Sequence, residues 1–177
     1  GAFPIRNWQW GSWSDPTNVK ALDGPWMDAV SYVKQIACPG CVMHCMYLSE
    51  VTSKDELMNG TITDMPDWEA MGQVGGMLGF LELEGKTPND AFGGDHWDLA
   101  ECLAKTQYGT FIHDNYGLDY IEGGCNLGLV QELFQRGYIT AADLDGIAPK
   151  WGDVHAIDAM LKKIAYAGWT QIFMHPV

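Results

Sequence analysis

Three cysteines lie within eight residues of the chain, at Cys38, Cys41 and Cys45. Thiolates are soft, anionic ligands that bind iron or zinc, and the Cys-x2-Cys-x3-Cys spacing lets the sulfurs of one short loop face a common centre. A [4Fe–4S] cluster or a structural zinc usually has four ligands. His44 lies between the cysteines and is a candidate fourth ligand for zinc. The spacing alone does not distinguish an iron–sulfur cluster from zinc.

The cysteine count also indicates the redox environment. Five cysteines are an odd number, whereas a secreted disulfide scaffold usually has an even number spread along a short chain. We therefore expect a reduced, cytoplasmic protein. The two cysteines outside the cluster, Cys102 and Cys125, are candidate distant ligands, although core packing is the more common role for a cysteine inside a helix.

A second motif, Asp-Asn-Tyr-Gly-Leu-Asp, occupies residues 114–119 at a predicted junction between a loop and a helix. Two carboxylates that flank a glycine turn can accept hydrogen bonds from the amine and amide N–H groups of a heterocycle such as a pterin. The N–H groups at the start of the following helix favour an anion such as phosphate. The alternative interpretation is an acidic N-cap.

The composition limits the classes of protein that need to be considered. The chain has 177 residues, 47% of them hydrophobic, and a net charge of −13, which together indicate one folded, acidic domain. An acidic surface offers no basic footprint for nucleic acid. Because polar residues interrupt every apolar run well short of about 18 residues, we expect no membrane-spanning helix. The chain starts at Gly1 without an initiator Met, which suggests a piece of a longer protein.

The elements that must position the two motifs are predicted to be mainly helical, with long functional loops. Apolar residues recur at helical spacing in five segments, and no segment alternates convincingly like a strand. Gly137 stands where a C-cap is expected, and Asp153 is a candidate N-cap. The predicted helices cover residues 25–37, 67–81, 96–113, 118–136 and a final segment that starts after Asp153.

Six blocks of the sequence, in this order and spacing, resemble the tungsten-containing aldehyde ferredoxin oxidoreductase family over essentially the whole chain. They are the segment 3–8 (Phe-Pro-Ile-Arg-Asn-Trp), the cysteine cluster, 67–70 (Asp-Trp-Glu-Ala), 113–132 with the Asp-x2-Gly-Leu-Asp run, 151–153 and 164–166. Family members have three domains around a tungsten held by two pterin dithiolenes, with a [4Fe–4S] cluster nearby. The resemblance identifies residues 1–177 as the second, helical domain and implies that the first and third domains are absent from this chain.

The resemblance also implies roles for particular residues. Cys38, Cys41 and Cys45 would ligate the [4Fe–4S] cluster, and the fourth cysteine would belong to the third domain. One pterin of the tungsten–bis(pyranopterin) cofactor, with molybdenum as the alternative metal, would contact Asp114, Gly117, Leu118 and Asp119. Glu69 would be the active-site carboxylate, which accepts a proton as an aldehyde hydrate is oxidised. Its alternative role is that of an acid in the first turn of a helix.

The activity implied by the resemblance is oxidation of an aldehyde to a carboxylic acid. Electrons would leave through the cluster to ferredoxin or an iron–sulfur partner subunit, in a homo- or hetero-oligomer. A same-family alternative is the tungsten subunit of a class II benzoyl-coenzyme A reductase, whose substrate is an acyl thioester. Two further alternatives are a zinc-stabilised helical interaction module and a family member that keeps the cluster without tungsten.

Overall fold

The structure, a computed structural model, describes residues 6–9, 31–65, 74–80 and 99–166. In these ranges three strands precede three helices along the chain. The elements are β1 (Tyr32–Ile36), β2 (Met46–Glu50), β3 (Ile62–Met65), α1 (Leu99–Asn115), α2 (Tyr120–Gln135) and α3 (Val154–Tyr166). No helix within the described ranges combines the length and apolar character needed to cross a membrane.

The strands form an antiparallel sheet in the order β1-β2-β3. Ile36 pairs with Met46 across the first hairpin, and Glu50 pairs with Ile62 across the second. The helix predicted over residues 25–37 is therefore wrong at 32–36, and residues 25–30 lie outside the described ranges. Val33 and Ile36 have helical spacing, but Val33 is 50% exposed and tertiary pairing with β2 decides the conformation. The expectation of no strands is wrong for the same reason.

The connection from β2 to β3 turns at the predicted Asn-Gly dipeptide. Gly60 has φ +77°, a left-handed conformation that glycine adopts without steric cost. Val51 closes the loop with two backbone hydrogen bonds, since its N–H donates to Thr61 at 2.8 Å and its carbonyl accepts from Gly60 at 2.9 Å. The turn predicted at Asn59 and Gly60 is confirmed.

The helices predicted at 96–113, 118–136 and after Asp153 are confirmed as α1, α2 and α3, within a few residues at each end. A Schellman motif ends α2, because Tyr138 N–H donates to the Leu133 carbonyl and Gly137, with φ +75°, donates to the Phe134 carbonyl, both at 3.0 Å. Asp153 caps α3 by accepting from the Ala156 N–H at 3.0 Å.

The helix predicted over 67–81 is described from residue 74 onward, where one helical turn at 74–77 leads into a turn through Phe80. This segment packs closely against α2, since a Cβ on Gly124 would lie 2.3 Å from Val74 Cγ1. The largest fully buried side chains form one core between the helices, residues 74–80 and the loop that follows β2: Phe80, Met58, Leu78, Ile112, Leu127, Leu144, Ile157 and Met160. The described part of the chain is therefore mainly helical with a small sheet.

Candidate cofactor-binding site

The three clustered cysteines lie on the loop of the β1–β2 hairpin, residues 37–45, here called the thiol loop. Cys38 follows the end of β1 and Cys45 immediately precedes β2. The loop turns at Cys41, whose N–H donates to the Cys38 carbonyl at 3.0 Å. Left-handed conformations at Gly40 (φ +78°) and His44 (φ +45°) tighten it further. The hairpin thus brings the first and last cysteine to one end of the sheet.

All three thiols of the loop are exposed, and none is in a disulfide within the described residues. Cys38 Sγ lies 3.3 Å from Met46 Sδ. Within the described residues, no three His, Cys, Asp or Glu side chains are placed to hold a metal ion, so the three sulfurs do not share a common centre in this structure. Three accessible thiols on nine successive residues fit the ligand chemistry of an iron–sulfur cluster, provided that the loop closes on binding.

The other candidate ligands lie elsewhere or are engaged locally. His44 Nδ1 is 3.0 Å from the Val42 carbonyl, and the His44 backbone carbonyl accepts from the Gln35 amide. Cys102 is completely buried inside α1. Cys125 lies on α2, where desolvation and then the charges of Glu122 and Asp119 raise the pKa of its thiol. Neither cysteine is part of the thiol loop.

The second motif, residues 114–119, forms the junction between α1 and α2. The chain reverses at Gly117 (φ +69°), whose N–H donates to the Asp114 carbonyl at 3.0 Å, while Leu118 N–H donates to the His113 carbonyl at 2.9 Å. Asp119 caps α2, since its Oδ1 accepts from the Glu122 N–H at 2.7 Å. The structure thus contains the acidic N-cap that was the alternative interpretation of this motif. The cap uses one carboxylate oxygen of Asp119 and does not involve Asp114.

The electrostatics of the junction distinguish Asp114 from an ordinary surface acid. Desolvation, followed by the negative charges of Asp64 and Asp119, raises the pKa of Asp114 to about 6. Asp114 is exposed, yet neighbouring protein removes part of the water shell of its carboxylate. Asp64 lies on β3, which packs against α1. Carboxylates from the sheet and from both helix ends therefore share one neighbourhood.

A surface cavity of about 270 Å³ opens beside Asp119 at the start of α2. Its lining combines acidic and amide side chains with apolar side chains of α3. Such a cavity suits a flat heterocycle whose N–H groups donate to carboxylates and whose ring face lies on apolar surface. The lining residues are Leu118, Asp119, Glu122, Gly123, Asn126, Leu161 and Ile164.

A buried histidine, His113, immediately precedes the junction near the end of α1. His113 is completely buried, and its Nδ1 lies 2.7 Å from the Gly109 carbonyl, so that nitrogen must carry the proton. Nε2 is then an acceptor, and it has no hydrogen-bond partner among the described residues. Burial lowers the pKa of His113 to about 4 and keeps the ring neutral at pH 7. The ring packs edge-on against Tyr120 at 4.9 Å between centroids.

The structure therefore brings Asp114, Gly117, Leu118 and Asp119 together in one junction and the three cysteines together in one loop. Glu69 lies outside the described residues. The sequence analysis assigned no role to Tyr116 of the motif or to Asp158 of α3, whose side chains are hydrogen-bonded at 2.7 Å. The sequence offered one signal for Asp158, its position four residues before Lys162 on one helix. That spacing is typical of any exposed ion pair and does not point to Tyr116.

Comparison with known proteins places this arrangement in a family. Residues 1–170 match the family model described as aldehyde ferredoxin oxidoreductase, domains 2 and 3. The chain belongs to the aldehyde ferredoxin oxidoreductase family, and the resemblance found in the sequence is confirmed.

The curated relatives are much longer proteins. The chain is 31% identical over 162 residues to the aliphatic sulfonate oxidoreductase, WOR-like subunit, of Pyrococcus furiosus, a match that covers 91% of this chain and 22% of that protein. It is 25% identical over 167 residues to a tungsten-containing aldehyde ferredoxin oxidoreductase of Thermococcus kodakarensis, covering 94% of this chain and 23% of the relative. The tungsten-containing aldehyde ferredoxin oxidoreductase of Pyrococcus furiosus is likewise 25% identical over 166 residues, a match that covers 93% of this chain and 23% of that protein. The chain thus spans less than a quarter of these relatives.

Proposed function

We propose that this chain is the second, helical domain of a tungsten- and iron–sulfur-containing oxidoreductase that converts aldehydes to carboxylic acids. Family membership over residues 1–170 and the tungsten-containing relatives support the proposal. The observation that carries it is the thiol loop, on which Cys38, Cys41 and Cys45 are exposed and unbridged at one end of a hairpin. Residues 1–177 of this chain would form that one domain, within a three-domain, cytoplasmic protein that assembles as a homo- or hetero-oligomer.

In this proposal the three cysteines ligate a [4Fe–4S] cluster, and the fourth ligand comes from a third domain. Each thiol gives up its proton on binding iron, because the thiolate is the ligand. The hairpin holds the two ends of the loop in register through the pairing of Ile36 with Met46, and we expect the loop between them, residues 37–45, to close on the cluster. When bound, the tungsten–bis(pyranopterin), or its molybdenum counterpart, and the cluster supply the redox chemistry, with ferredoxin or an iron–sulfur subunit as electron acceptor.

The junction of α1 and α2 would bind one pterin. Asp114 and Asp119 accept hydrogen bonds from the amine and ring N–H groups, while the turn at Gly117 leaves the approach open, since a Cβ there would meet nothing within 4 Å. Leu118, together with the apolar wall of α3, excludes water from a ring face. Because the pKa of Asp114 is about 6, this carboxylate is mostly ionised at pH 7 and can accept both hydrogen bonds.

Glu69 is the proposed general base. Its role rests on the family resemblance: the carboxylate takes up a proton from the aldehyde hydrate as the substrate is oxidised. A glutamate can do this at neutral pH when it is ionised and within hydrogen-bond reach of the hydrate oxygen.

A second candidate substrate class is an aliphatic sulfonate. The relative named for it shares 31% identity with this chain, against 25% for the two aldehyde oxidoreductases. The resemblance of the two motifs to the family does not distinguish the two substrates, because the proposed cysteines and pterin ligands serve the cofactors.

The test is anaerobic turnover by the natively purified protein, with a viologen dye as acceptor and a panel of aldehydes and aliphatic sulfonates as substrates. We expect aldehyde oxidation, its loss in Glu69→Gln, and its retention in the control Glu56→Gln, which changes an exposed glutamate of the β2–β3 connection. Turnover of sulfonates alone would favour the second candidate. Turnover of neither class would contradict the proposal.

A further inference from the structure

Tyr116 belongs to the 114–119 junction, and its side chain contacts α3. Its hydroxyl donates a hydrogen bond to Asp158 Oδ1 of α3 at 2.7 Å. Its ring also packs edge-on against Tyr166 near the end of α3, with 5.7 Å between centroids and an interplanar angle of 82°. The junction is thus attached to α3 by one polar and one aromatic contact.

Asp158 is a buried acid, 5% exposed, and both of its oxygens are engaged. Oδ1 accepts from Tyr116, and Oδ2 accepts from Lys162 Nζ, also at 2.7 Å. A buried carboxylate is tolerated when it is fully paired, and a hydrogen bond to a charged acceptor is stronger and more directional than one between neutral groups. The carboxylate therefore holds the Tyr116 hydroxyl in one place. Burial, followed by the hydrogen bond and the charge of Asp158, raises the pKa of Tyr116 to about 12.

The same helix forms the apolar wall of the cavity. Leu161 and Ile164 of α3 line the cavity together with Leu118 and Asp119 of the junction. The contact between Tyr116 and Asp158 therefore sets two things at once: the path of the junction between its two acids, and the distance from the junction to the apolar wall.

We propose that Asp158, held by Lys162, is a positioning residue that fixes Tyr116 and thereby sets Asp114 and Asp119 at the spacing needed to bind the pterin ring. This inference rests on the proposed function, since it concerns the same cofactor. Asp158 acts through Tyr116 and does not touch the ring.

The experiment compares Tyr116→Phe with the control Tyr138→Phe. Each substitution removes a tyrosine hydroxyl, and Tyr138 is 75% exposed. Two properties of the natively purified protein are measured: amide hydrogen exchange at Gly117 and Leu118, and the ratio of pterin to iron. In Tyr116→Phe we expect exchange at these amides to rise about tenfold, because the loss of a hydrogen bond to a charged group frees the junction locally. The pterin-to-iron ratio should fall, while Tyr138→Phe leaves both unchanged.

A conservative rescue separates positioning from general stabilisation. Asp158→Asn keeps an oxygen that can accept from Tyr116, whereas Asp158→Leu removes it, so the asparagine variant should retain more pterin per iron. Lys162→Met should weaken retention in the same direction, and Lys163→Met, whose lysine pairs with Asp145 at 2.8 Å, should not.

An unchanged pterin-to-iron ratio in Tyr116→Phe, with wild-type protein that contains pterin, would overturn the inference alone. So would equal exchange rates at Gly117 and Leu118 in the two tyrosine variants. Wild-type protein without pterin would overturn the proposed function, and the ring-binding role of the junction with it.

Discussion

Gly123 of α2 lies directly against the imidazole of His113 at the end of α1. A Cβ built on Gly123 would stand 2.5 Å from both Cδ2 and Nε2 of that ring, closer than real Cβ contacts come. The two helices therefore meet at a point where α2 has no room for a side chain. His113 precedes the junction acid Asp114, and Gly123 lines the adjacent cavity, so this contact sets the geometry beneath the candidate site.

Gly123→Ala should destabilise the protein. Alanine favours a helix by about 1 kcal/mol over glycine, but overpacking against a buried ring costs typically about 1–3 kcal/mol. Because the added Cβ would stand only 2.5 Å from the ring, the overpacking cost should lie near its upper end. We therefore expect a net loss of about 1–2 kcal/mol in the free energy of unfolding, measured in urea. The control is Gly128→Ala, whose Cβ would meet the flexible Met77 side chain at 3.0 Å and should cost less. Equal stability of Gly123→Ala and wild type would contradict the packing described here.

His113 should make stability depend on pH. Burial lowers its pKa from 6.5 to about 4 in the folded state, so the unfolded chain binds more protons between these values. The contribution of His113 is therefore complete above pH 6.5 and is lost as the pH falls towards 4, by about 3 kcal/mol.

The matched variant is His113→Gln, which cannot titrate. Asp114 acts in the opposite direction, because its raised pKa makes the folded state bind the extra proton, so both proteins should also carry Asp114→Asn. Unfolding free energies measured from pH 7 to pH 4 should fall more steeply with His113 present. Parallel pH profiles would show that the histidine is not buried as described.

Asp114 should titrate near pH 6, and its pKa should depend on Asp64. Desolvation is the largest cause of the shift, and the negative charge of Asp64 is the next. Asp64→Asn removes that charge and should lower the pKa of Asp114 towards its ordinary value of 3.8, without restoring it fully. Carbon NMR titration of the Asp114 carboxyl measures the shift, with Glu56→Gln as a control. If the pKa of Asp114 were the same in wild type and in Asp64→Asn, the result would contradict the placement of Asp64 of β3 close to the junction.

The sequence predicted those parts of the fold that depend on local signals. The cap at Asp153 and the glycine at 137 define helix ends through backbone groups close in sequence, and both ends were found. β1 was missed because an edge strand with exposed Val33 carries little alternation, and its conformation depends on pairing with β2. Tyr116 and Asp158 are 42 residues apart, and no local pattern specifies that contact.

The proposed role of the thiol loop predicts that replacing one of its cysteines reduces iron binding, whereas replacing a cysteine elsewhere in the chain does not. Cys41→Ser should lower the iron content of the natively purified protein, because serine is a poor replacement for a soft thiolate ligand. Cys125→Ser changes a residue on α2 and should leave the iron content unchanged. Iron is counted per chain by elemental analysis. Equal loss of iron in both variants would contradict the assignment of the ligands to residues 37–45.

The most direct test of the proposed function is the metal content of the wild-type protein, purified without oxygen and analysed for iron, tungsten, molybdenum and zinc. The proposal predicts about four irons and one tungsten per chain, the iron being that of one [4Fe–4S] cluster. Zinc without iron or tungsten would contradict it, and would leave the three cysteines as a structural zinc site.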